Sequence, residues 1–132
     1  MARPYIGGSS AASVSKTASF SIGMSDHGKA FILSGGSAVT ITLPTMASSF
    51  SGFSFKVISG DASEHVISGG ASLIYYHGSY GADHATNTGR DIHETVSSLT
   101  LNAGAINDTI DIFCDGTYWL CSGSTKATVD AG

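Results

Sequence analysis

The chain has 132 residues and a mass of 13.4 kDa, the common size of one domain and too short for a second packed core. Hydrophobic residues make up 42%, enough for a core, but only 12% are charged and 17 glycines stand among many serines and threonines, a mixture suited to strands and tight turns. Six basic against ten acidic residues give a formal net charge of −4, which excludes binding that works by neutralising phosphates or anionic lipid, so neither nucleic acid nor a membrane surface is an expected partner.

Along the chain, residues 1–19 contain Gly7-Gly8-Ser9-Ser10 and show no period of two or of 3.6, so they are expected to form an extended N-terminal arm. From Phe20 onward, short alternating segments separated by turn residues predict a β domain over 20–132. Phe20 and Ile22 open the series, Phe31 and Leu33 follow, and Val39, Ile41 and Leu43 alternate with Thr40 and Thr42 until Pro44 ends the strand. One helical turn is expected around 46–50. Phe53, Phe55 and Val57 make the next strand, and runs at 65–67 and 72–76, split by Gly69-Gly70, look like two hairpin strands. Residues 77–95 are polar and aperiodic, which predicts an inserted or exposed loop. Leu99 and Leu101 mark a further strand. Ile110, Ile112 and Cys114 then lead through Asp115-Gly116 to Tyr118-Trp119-Leu120, the strongest hairpin signal present. The expected fold is all-β, a single sandwich or barrel-like domain of short antiparallel strands.

In the last hairpin Ile110, Ile112 and Trp119 are expected to share a core or interface face, leaving Asp111, Phe113, Tyr118 and Leu120 on the other. Two registers are open, placing Cys121 opposite Ile110 or opposite Ile112. In both the cysteines are offset by at least two positions, beyond the roughly 7 Å reach of a disulfide, so two small buried hydrophobes are expected.

Gly23-Met24-Ser25-Asp26-His27-Gly28-Lys29 fits the spacing of a phosphate-cradling loop but has Ala30 where a hydroxyl should hold magnesium, and a strand pattern follows where a helix is required. A polar turn explains it. His77, Asp83, His84, Asp91, His93 and Glu94 are candidate metal ligands by type, but their spacing matches no closed zinc site, and no metal or other cofactor is expected. No Gly-x-Ser-x-Gly elbow occurs, and Asp61, Glu64 and Asp111 are the carboxylates a glycosidase could use. No enzyme activity is expected.

Ser25-Asp26-His27-Gly28-Lys29-Ala30-Phe31-Ile32-Leu33 followed by Val39-Thr40-Ile41-Thr42-Leu43-Pro44 resembles an "S-D-x-G-K-x-F-x-L" segment and a "V-T-[IV]-T-L-P" strand of small β-rich virion structural proteins of tailed bacteriophages. Phe53-Ser54-Phe55-Lys56-Val57 and the closing run from Asp108 to Trp119 are similar to later pieces of the same pattern, and Ala2-Arg3-Pro4-Tyr5-Ile6-Gly7-Gly8-Ser9 to its opening. The resemblance implies a virion part: a capsid decoration (cement) protein, or a head-fibre or tail-tip module. With no shaft of repeats in the chain, decoration is the expectation, with the major capsid protein of the same phage as partner and, by analogy with the family, a homotrimer on the head surface. Synthesis in the host cytoplasm is expected, because Met1-Ala2-Arg3-Pro4 lacks the apolar run of a secretory signal. The arm has too little apolar surface to offset its ordering entropy, so it is expected to be mobile until it binds, attaching through Arg3, Tyr5 and Ile6; removal of residues 2–15 should then spare the fold. Tyr75, Tyr76 and Tyr80 are candidate surface contacts.

Overall fold

In the computed structural model, which describes residues 12–69, 71–81, 89–102 and 105–132, the alternating segments become strands of two sheets packed face to face as a β-sandwich, without barrel closure. The strands are β1 (Ser13–Lys16), β2 (Phe20–Ser21), β3 (Ala30–Leu33), β4 (Thr40–Thr42), β5 (Ser54–Ser59), β6 (Val66–Ser68), β7 (Ile74–Tyr80), β8 (Gly89–Val96), β9 (Ser98–Leu101), β10 (Thr109–Cys114), β11 (Trp119–Thr125) and β12 (Val129–Ala131). One sheet has the order β1-β3-β5-β10-β11-β7-β8, the other β12-β9-β6-β4-β2. The only helical segments among the described residues are single 3-10 turns, one of them at Ser48–Phe50 inside the expected window. No described helix is long and apolar enough to cross a membrane.

Both sheets are mixed, which corrects the expectation of antiparallel strands. From β1 to β7 consecutive strands alternate between the sheets, so each connection is an arch across the sandwich, and β3, β4, β5 and β6 each return beside the strand two before. That winding makes β1-β3, β3-β5, β2-β4 and β4-β6 parallel. Gly69 therefore lies in such an arch, and the segments on either side of it, β6 and β7, belong to different sheets. True hairpins are β7-β8 and β10-β11, while β11-β7 is parallel.

The boundaries also differ at two places. Ser13–Lys16, expected in the arm, is edge strand β1 in register with β3, and the Ala30 amide bonds to the Ala12 carbonyl at 2.9 Å. Removing residues 2–15 would strip this edge. The segment 77–95, expected as a loop, supplies most of β7 and β8; residues 82–88 within it lie outside the described residues.

The core lies between the sheets. Ile41, Ile67 and Leu99 form one inward row of the smaller sheet, facing Phe31, Val57, Ile110 and Ile112 from the larger. A chain of aromatic contacts runs Phe20–Phe31–Phe55–Phe53–Trp119 with successive ring centroids 5.0 to 6.3 Å apart. Tyr76 crosses beneath paired Gly78 and Gly123, where a Cβ would stand 2.2 Å and 2.5 Å from its hydroxyl oxygen. Glycine is required there for close approach.

Candidate functional site

The inner face of the larger sheet is filled, so a site on this sheet must be built from its outer face, an edge or its loops. Cross-strand register assembles the outer face in rows. Ser54, Phe113, Leu120 and Tyr75 are direct neighbours, and Tyr118 packs edge-on against Tyr75 with centroids 4.9 Å apart. Phe113 and Leu120 are apolar yet 46% and 39% exposed, because strand alternation aims them away from the core. The next row is Ala30, Lys56, Asp111, Ser122, His77 and Ile92. Beyond it come Thr109, Ser124, Ser79 and Arg90. Two shallow depressions meet at Asp111 and Ser122: one extends toward Ala30, Phe113 and Leu120, the other toward His77 and Arg90. The small side chains of Ser122 and Ser124 make the low floor between taller neighbours.

This arrangement separates the expected surface tyrosines. Tyr75 is half-buried on the outer face, and Tyr80 is half-buried at the end of β7. Tyr76 is 2% exposed, and burial pushes its phenol up to about 12, which corrects its assignment as a surface contact. The reason is parity: Tyr76 alternates with Tyr75 and faces inward. Arg3, Tyr5 and Ile6 lie outside the described residues. Phe113, Leu120 and Tyr118 fall on the outward set expected for the last hairpin, whereas Arg90 had no signal because its strand was read as loop.

The candidate metal ligands are dispersed into separate tasks. Asp91 Oδ2 accepts from the Val129 amide at 2.7 Å, and His93 Nε2 donates to the Val129 carbonyl at 2.7 Å. Together they satisfy the amide and carbonyl of Val129, at the start of edge strand β12, as a neighbouring strand would. A bulge makes this possible. Ile74 pairs with Val96 but Tyr76 pairs with His93, and Thr95 takes φ 51°, so Val96, His93 and Asp91 all face inward. His77 instead stands on the outer face beside Arg90, and Asp83 and His84 lie outside the described residues. No group of three metal-ligating side chains forms among the described residues.

The most enclosed His–Asp pair is also structural. His65 is fully buried; its Nδ1 accepts from the Val39 amide at 3.0 Å, and its Nε2 donates to Asp61 Oδ1 at 2.9 Å. With Nδ1 occupied, the ring offers no lone pair to take a proton from a nucleophile. Amides of Ser63 and Gly36 donate to Asp61 and, with the His65 bond, hold its carboxyl at about 2. The network ties the 34–38 arch to the turn between β5 and β6.

In the phosphate-loop-like segment, Asp26 Oδ2 accepts the Gly23 amide at 2.9 Å and its Oδ1 binds Lys29 Nζ at 3.0 Å, so the loop's own carboxylate sits where an anion would be held. A 3-10 turn over Met24–Asp26 feeds directly into β3. The cysteines take the second of the two registers: Cys121 faces Ile112 and Cys114 faces Trp119. Both thiols are free and buried, and burial pushes Cys121 up to about 12 and Cys114 in the same direction. Neither is an activated nucleophile.

Against known proteins, the sequence matches no protein-family model and has no significant match among curated proteins.

Proposed function

We propose that this chain is a non-enzymatic structural protein of a tailed-phage virion, a decoration (cement) protein that docks on the assembled head shell. The order of segments set out above supports the virion reading. One observation supports docking: Phe113 and Leu120 project side by side, next to half-buried Tyr75 and Tyr118, from a sheet whose opposite face is already packed. Contiguous exposed apolar surface on a small domain marks an interaction site. The major capsid protein is the proposed partner, and a homotrimer the proposed assembly. The arm residues Arg3, Tyr5 and Ile6 are proposed as a second attachment element. Such a protein stabilises a shell by mass action, because it binds the assembled lattice better than free subunits.

The absence of catalytic function is part of the proposal. His65 has no free lone pair, the thiols are buried, and the outer depressions carry one carboxylate, Asp111, where glycoside hydrolysis uses two. A second reading, a head-fibre or tail-tip module that attaches to a host surface, is favoured by the polar depression beside the apolar row. Imaging of whole particles by electron cryomicroscopy separates the two. Density for this chain repeated over the head is the expected result; density confined to one vertex or to the tail would overturn decoration in favour of the fibre reading.

A further inference from the structure

The polar depression contains an arginine and an aspartate that are only loosely held by other described residues. Arg90 projects from β8 and has no carboxylate within ion-pair distance among the described residues; its Nη2 lies 3.4 Å from His77 Nδ1. Arginine has no acceptor, so it donates and His77 Nδ1 accepts, which leaves the His77 Nε2 hydrogen as a second donor beside the guanidinium. Across the depression the one ion-pair partner of Asp111 among the described residues is Lys56, at 3.7 Å, and the two side chains are 60% and 47% exposed. An exposed pair of that length holds its partners weakly, so Asp111 is available as an acceptor. Between these walls lie the hydroxyls of Ser122 and Ser124, which leave room because they are short.

The chemistry of an occupant follows from this set. One guanidinium with a neighbouring imidazole N–H suits one carboxylate, since arginine grips it with two parallel hydrogen bonds. An aspartate and several hydroxyls suit neutral hydroxyl groups, which donate and accept. A phosphate dianion would be repelled by Asp111. An extended peptide cannot add to this place as a strand, because β7, β10 and β11 are interior strands already paired on both sides. The depression also spans β8 to β10, three strand spacings or about 14 Å, so it receives a ligand lying across the strands.

We propose that this depression binds the uronate unit of an acidic saccharide, with Arg90 and His77 holding the carboxylate and Asp111, Ser122 and Ser124 holding ring hydroxyls. The lining holds one carboxylate, Asp111, and so lacks the pair that glycoside hydrolysis uses. The site adjoins the Phe113–Leu120 row at Asp111 and Ser122, but His77, Arg90 and Ser124 line only the polar depression, so the proposal does not rest on that row docking on a capsid.

The test uses the purified full-length chain and isothermal titration with tetragalacturonate, with neutral galactotetraose and tetraglutamate as controls. Tetragalacturonate is expected to bind at least tenfold more tightly than either control. Arg90→Ala and Asp111→Asn should each weaken that binding at least tenfold while leaving the thermal melt in place, and Arg90→Lys should recover only part of the loss. Phe113→Ser should leave saccharide binding unchanged, which separates this site from the docking proposal. Equal binding of galactotetraose, tetraglutamate binding as tight as the uronate, undiminished binding by Arg90→Ala, or no heat from tetragalacturonate at concentrations on the order of 1 mM would each overturn the proposal.

Discussion

The two faces of the β10–β11 hairpin are built from alternating residues of the same two strands, yet they have opposite physical roles. Ile110, Ile112, Cys114, Trp119 and Cys121 face the second sheet and are all within 3% of full burial. Asp111, Phe113, Leu120 and Ser122 face solvent, and two of those four are large and apolar. Folding stability comes from the first set, because burial removes its surface from water. The second set is spared that task. A phenylalanine and a leucine held partly exposed on the outer face of a sheet contribute less to the isolated domain, and we propose that a partner completes their burial.

The sharpest way to break this comparison is to empty the inner face. Trp119 touches Phe50 and Phe53 and is 1% exposed, so Trp119→Ala should cost about 3 to 5 kcal/mol in denaturant melts. A loss below about 1 kcal/mol would mean that the inner face does not carry the fold. Overfilling the same face is the next test. Gly123→Ala places a methyl 2.5 Å from the Tyr76 hydroxyl oxygen and should cost about 1 to 3 kcal/mol; in a Tyr76→Phe background the added cost should shrink, because the clashing atom is gone. An identical cost in both backgrounds would locate the strain elsewhere.

A smaller, pH-dependent effect is expected at the Asp61 network. The amides of Ser63 and Gly36 lower its carboxyl to about 2 from an ordinary 3.8. A folded-state pKa below the unfolded one favours the folded protein when the group is ionised. The stabilisation is therefore fully present above about pH 4 and is lost as pH falls toward 2. Asp61→Asn should destabilise the protein at pH 6 and should lose most of that difference near pH 2. A difference that stays constant across denaturant melts over this range would contradict the assignment.

The alternation Val39-Ile41-Leu43, Phe53-Phe55-Val57 and Ile110-Ile112-Cys114 was legible because each strand buries one face, and every one of those residues is buried. Strand direction was not legible. Residues 34–39 and 60–65 have the composition of hairpin turns, but they are arches between sheets, and composition does not distinguish a chain that turns within a sheet from one that crosses to the other. The strand β8 was hidden for a different reason. Its inward positions are Asp91 and His93, which bond to the backbone of β12, and a bulge at Thr95 shifts the period, so hydrophobic alternation is absent where pairing is present. That error concealed Arg90, and with it half of the polar depression. The outward Phe113 and Leu120 were legible as a mismatched set opposite Trp119, although only the three-dimensional register adds Tyr75 beside them.

The central claim is that the outer row docks and does not fold. The measurement that tests it most directly is sedimentation of phage heads lacking this chain with either the natural protein or a Phe113→Ser, Leu120→Ser double variant, alongside denaturant melts of both. Surface substitutions free of core contacts change stability by about 0.5 kcal/mol or less each, so the melts should nearly coincide. Head binding by the double variant should fall at least tenfold, about 1.4 kcal/mol. Undiminished decoration of heads by a folded double variant would contradict the account.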